Sequence, residues 1–181
     1  MKKIIVTLNI IFSVMFLFSC TRAIKPSGKA NEKKVFLAFF DNQTIKPGVN
    51  EILTEFLRDI FLVSDSVKLV NKKDANYFVS GNIKEYTISA ETYSDREAVE
   101  MYSIKIVVEV LIKKRTASGD FLELQSFDAS DRFIFSESAS VPKTEKNAVE
   151  ETCRKLAFKI YNKIKQAADS DEKKDGGISG R

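Results

Sequence analysis

Apolar residues fall into a few well-marked periods along the chain, and polar stretches separate them. Lys34 to Phe40 (KVFLAFF) is a short apolar run, partly β-branched and aromatic, which predicts a buried strand. It stops at Asp41-Asn42-Gln43-Thr44, and Pro47-Gly48 marks a turn. Val49, Ile52, Leu53, Phe56, Leu57, Ile60 and Phe61 then recur at helical spacing, with Glu51, Glu55, Arg58 and Asp59 off the stripe. This predicts a one-faced amphipathic helix. Val67 to Val70 predicts a short strand, and Asn76 to Ser89 a longer one. In the longer strand Tyr77, Val79 and Ile83 share one parity while Tyr86 and Ile88 take the other, so a bulge is expected near Gly81 or Lys84-Glu85.

The clearest period of two follows the polar segment Thr92 to Ala98. Tyr102, Ile104, Ile106, Val108, Val110 and Ile112 alternate with Ser103, Lys105, Val107, Glu109 and Leu111. One face is wholly apolar and the other mixed, as in a sheet covered on one side. A hairpin over Lys113 to Asp120 turns at Ser118-Gly119-Asp120, and Phe121 to Phe135 supplies the next strand, with a kink expected around Ala129-Ser130-Asp131. The last helix is placed after Pro142, with Thr144 as N-cap and Ala148, Val149, Thr152, Cys153, Leu156, Ile160 and Ile164 on one side. The order β-α-β-β-β-β-α predicts an α+β two-layer sandwich, two amphipathic helices on one face of a four- to five-stranded, mostly antiparallel sheet.

The two ends read differently. Lys2 and Lys3 precede a mostly apolar run, Ile4 to Leu17, which is shorter than the about 20 residues of a membrane span. It suits a signal peptide. Leu17-Phe18-Ser19-Cys20 places a branched apolar residue, a small residue and a cysteine as in the lipobox of bacterial lipoproteins, in which the cysteine is acylated and cleavage precedes it. The alternative is an ordinary secretory signal with a chance cysteine. More than one acyl chain on Cys20 would give a lasting anchor, since each buried CH₂ contributes about 0.8 kcal/mol. Residues 1–19 are thus expected to be a signal peptide and 20–33 a lipidated tether; 34–167 are expected to form one globular domain and 168–181 a disordered polar tail.

Without the signal peptide, 27 basic residues face 25 acidic ones, so charge balance calls for no nucleic acid. With Cys20 acylated, Cys153 alone remains and no intramolecular disulfide can form. The chain has no histidine, which removes the commonest general base and metal ligand. No glycine-rich phosphate loop, metal-ligand spacing or cofactor motif is present. Cys153 lies on the apolar stripe of the last helix and reads as a small core residue. Asp41 is the best single carboxylate for a catalytic part, but a turn residue bonding its own backbone accounts for it. These signs point away from an enzyme. Lys113-Lys114-Arg115 at a hairpin tip, and Arg96 and Lys143 in loops, could bind phosphate; for each the alternative is solubility.

Phe39-Phe40-Asp41-Asn42-Gln43-Thr44 with Pro47-Gly48, followed by Leu53-Thr54-Glu55-Phe56-Leu57-Arg58-Asp59, resembles the LptE family of lipopolysaccharide-assembly lipoproteins. The likeness continues through Asp74-Ala75-Asn76, Gly81-Asn82-Ile83 with Tyr86, the strand from Tyr102, and Thr144-Glu145 with Ala148, and spans roughly 34–165. The resemblance implies a lipoprotein of the outer membrane that plugs a large LptD-type β-barrel, helps it assemble, and contacts lipopolysaccharide on its way to the cell surface. It also implies two helices on a four-stranded sheet. Basic residues linked to lipopolysaccharide binding in the family have their counterparts here in Arg96 and Lys143. Asp95, Glu97, Glu100 and Glu145 lie nearby in sequence and oppose a phosphate. Regulatory and secretion-pore lipoproteins of the LpoB and CsgG types also open with a strand ending in phenylalanine and asparagine before a helix, and form the alternative.

Overall fold

The computed structural model describes residues 33–93, 99–136 and 144–176. Cys20, Arg96 and Lys143 lie outside them. Strands β1 (Lys33–Leu37) and β2 (Asp41–Asn42) precede helix α1 (Val49–Leu62). Then come β3 (Val67–Leu69), a 3-10 turn (Lys72–Asp74), β4 (Tyr77–Tyr93), β5 (Val99–Arg115), β6 (Phe121–Phe135) and helix α2 (Glu145–Gly176). The sheet order is β3-β1-β4-β5-β6, with β2 added beside β4. The long strands β4, β5 and β6 pair antiparallel, while β1 pairs parallel with both β3 and β4. The expected α+β sandwich is present, with six strands where four or five were expected.

The extra strand arises because KVFLAFF is not one strand. β1 ends at Leu37, Phe39 turns out to solvent, and Phe40 turns fully inward before β2 resumes at Asp41. The even residues Ile104 to Ile112 of β5 are all buried beneath α1 and α2. Leu53, Leu57 and Phe61 of α1 and Cys153, Leu156, Ile160 and Ile164 of α2 close the same core. The register of β4 on β5 shifts between Ile83 and Glu85, which carries Tyr86 back to the helix side, as its change of parity predicts. The β5–β6 ladder, by contrast, runs through Ala129–Asp131 in unbroken register; its one shift is at Ile112/Lys113, so the expected kink is absent.

Thr144 and Asn147 bond reciprocally at the start of α2, the Asn147 amide donating to Thr144 Oγ1 at 3.3 Å. This is the side-chain capping that the sequence predicts for Thr144. The other end departs from expectation. α2 continues to Gly176, through most of the stretch read as a disordered tail, and Ala168 and Asp171 are buried. The reason is polar: Tyr77 Oη donates to Asp171 at 2.9 Å, Lys114 pairs with the same carboxylate at 2.8 Å, and Lys33 pairs with Asp169. Strand ends thus hold a helix end that has little apolar surface of its own. Among the described residues no helix is long and apolar enough to cross a membrane.

Candidate functional site

The segment that opens the domain is a joint. Asn42 Oδ1 accepts from the Thr44 amide at 2.9 Å, and its Nδ2 donates to the Lys46 carbonyl at 2.7 Å. The turn role expected of Asp41 therefore belongs to Asn42, and Asp41 is exposed on β2. The Phe40 amide donates to the buried Thr54 hydroxyl at 3.3 Å, and Asn50 Nδ2 donates to the Phe40 carbonyl at 3.2 Å. Thr54 and Asn50 of α1 thus satisfy the backbone where the strand breaks, and Asn42 that of the following turn, as buried polar groups require.

Next to this joint lies a charged triad. Glu145, the first residue of α2, receives Lys46 Nζ at 2.7 Å and Tyr86 Oη at 2.6 Å. Lys46 Nζ also stands 5.9 Å from the centre of the Tyr86 ring. The bond from Lys46, then that from Tyr86, hold the Glu145 carboxyl below its ordinary range. Burial, then the bond to Glu145, push the Tyr86 hydroxyl well above its ordinary range. The parity change of Tyr86 was the one sign in the sequence; its partners could not be found from it, because Lys46 and Glu145 are distant in sequence and break no pattern.

The basic hairpin tip does not form one cluster. Lys113 and Lys114 point to opposite faces of β5, as successive strand residues must. Lys114 is paired with Asp171, as described above. Arg115 is committed to backbone: Nε donates to the Ala75 carbonyl at 2.7 Å, Nη1 to that of Gly119 at 3.1 Å, and Nη2 to that of Lys72. Its guanidinium also covers the Phe121 ring at 4.4 Å. A guanidinium with donors spent on three carbonyls ties the hairpin to the 3-10 turn.

The open face of the sheet carries a ladder of opposite charges. Lys84 meets Glu109 at 3.0 Å, Lys105 meets Glu85 at 3.2 Å, and Arg132 pairs with Glu91, which also accepts from Ser103. Such exposed pairs contribute little to stability, but they match the charges along this part of the face.

Cys153 is buried, its Sγ 4.0 Å from the Val49 carbonyl oxygen. Burial, and secondarily the Glu150 charge, push its thiol up to about 12, the opposite of an activated nucleophile. Among the described residues no three His, Cys, Asp or Glu side chains gather in a metal-binding group.

No protein-family model matches this chain, and no curated protein matches it. Solved structures do. A hypothetical protein from Chlamydia trachomatis superposes with a TM-score of 0.54 at 12% identity, over 76% of this chain and 98% of that one. A Xanthomonas campestris protein of the family model DUF330 gives 0.52 at 9% identity, over 78% and 89%. A minor lipoprotein from Acinetobacter baumannii gives 0.50 at 19% identity, over 74% and 93%. At these identities the likeness is one of fold, and the architecture described here is shared with bacterial proteins of which one is a lipoprotein.

Proposed function

We propose that this chain is an LptE-type lipoprotein, anchored in the outer membrane through lipid on Cys20. It plugs and helps assemble an LptD-type β-barrel and contacts lipopolysaccharide during export, with no bond-making step of its own. The observation that carries this reading is the joint around Phe40. Of the residues that resemble the family motif, Thr54 takes the Phe40 amide and Asn42 takes the Thr44 amide, at the entry to an α+β sandwich. The fold it shares with a bacterial lipoprotein agrees with the reading. Lipopolysaccharide contact falls to Arg96 and Lys143. Lys113 contributes at most at the periphery, because its neighbours Lys114 and Arg115 are held by Asp171 and by backbone carbonyls. Glu145, two residues after Lys143, is matched by Lys46, so its charge opposes an anion less than the sequence implies.

The test is purification of the full chain from detergent-solubilised membranes of its own source. A large β-barrel protein is expected to come with it in equal amount. Recovery of the chain without such a barrel would overturn the proposal.

A further inference from the structure

β6 is the edge of the sheet and is long for one, running from Phe121 to Phe135 with Leu122 and Ile134 exposed. An edge strand offers unpaired backbone groups to any other strand, and proteins blunt such edges with charge, lysine above all. Here the charge comes from the neighbouring helix. Lys155, Lys159 and Lys163 are spaced by four residues on α2 and so form one row. All three reach β6. Lys155 Nζ lies 4.9 Å from the centre of the Phe133 ring, and Lys163 Nζ lies 4.6 Å from that of Phe127. Lys159 pairs with Asp131 at 2.7 Å.

Two of the ammonium groups also take backbone oxygens. Lys159 donates to the Ser130 carbonyl at 3.1 Å and Lys163 to the Asp128 carbonyl at 3.3 Å. Asp128 and Ser130 are two residues apart, and in an antiparallel ladder alternate residues turn their backbone groups away from the partner strand. Their carbonyls are the ones an added strand would need.

We infer that the lysine row of α2 guards the β6 edge against strand addition by a second copy of this chain. A second β6 must displace Lys159 and Lys163 from these carbonyls. It also brings its own three ammonium groups against the first three, a like-charge contact that opposes pairing.

The full chain in detergent, examined by analytical ultracentrifugation across a concentration series, tests this. The wild type is expected to sediment as a monomer. K159M/K163M keeps the apolar stems, removes both ammonium groups, and is expected to self-associate at least about tenfold more tightly, the equivalent of 1.4 kcal/mol. Hydrogen exchange at the Asp128 and Ser130 amides should slow in that dimer. K159R/K163R, which keeps charge and donors, should behave as wild type. If the double variant fails to fold by circular dichroism, K159M and K163M singly must each raise association by a smaller step. Equal self-association of folded methionine variants and wild type, or a wild type already paired through β6, would overturn the inference.

Discussion

Phe40 packs directly on the backbone of Gly81. A Cβ built at Gly81 would fall 2.7 Å from Phe40 Cδ1 and equally close to the Glu109 carbonyl oxygen. Phe40 is fully buried, so the missing side chain of β4 is the space into which the break between β1 and β2 turns its aromatic ring. This contact fixes where the chain leaves the sheet on its way to α1.

Gly81→Ala is therefore expected to destabilise the domain by about 1–3 kcal/mol, the usual range for overpacking a filled core. A rotamer change at Phe40 relieves only part of the clash, because the Glu109 oxygen belongs to the backbone of β5. Phe40→Leu should itself cost stability, but combined with Gly81→Ala the loss should be smaller than the sum, as for two residues in contact. Urea unfolding of the wild type and the three variants measures the coupling. Strict additivity would mean that the two positions do not share this space.

The triad of Glu145, Lys46 and Tyr86 predicts opposite responses to acid and alkali. Glu145 has its folded-state pKa lowered, so its contribution is present above the ordinary glutamate value of about 4.3 and is lost as pH falls through the folded-state value. Tyr86 has its pKa raised, so its contribution is present below about 10 and is lost as pH climbs through the higher folded-state value. Glu145→Gln should lower the urea midpoint at pH 7 and converge on wild type in strong acid. Tyr86→Phe should lower it at pH 7 and converge in strong alkali. Parallel curves for wild type and variant across either limb would show that the triad contributes nothing through ionisation.

What was legible in the sequence was what repeats locally. The stripe of α1, the alternation of β5 and the parity change in β4 each follow from neighbours within a few residues, and each sets a buried face. The break after Leu37 was not legible, because Phe39 and Phe40 have the same apolar character and differ only in which way the chain turns them. The length of α2 was hidden for a related reason. Asp169 and Asp171 look like solvent-loving tail residues until Lys33, Tyr77 and Lys114 are brought beside them across the sheet. The ties of Arg115 were hidden likewise: the carbonyls of Lys72 and Ala75 to which it donates lie some 40 residues upstream.

That occupancy makes Arg115 the variant that separates structure from ligand contact. Arg115→Lys keeps the charge but replaces a planar fork with a single ammonium, which cannot reach three carbonyls at once. It is expected to cost about 1–2 kcal/mol, in line with hydrogen bonds to charged donors at a partly exposed site. The loss should be read in urea unfolding and in faster hydrogen exchange around the 3-10 turn at Lys72–Asp74. Binding of lipopolysaccharide by the folded variant should match wild type, since these donors point at the protein's own backbone. Lys143→Ala should do the reverse, weakening binding with little change in the unfolding midpoint. If Arg115→Lys lost binding while unfolding as wild type, the guanidinium would have to leave its carbonyls for the ligand, and its assignment as a hairpin tie would fall.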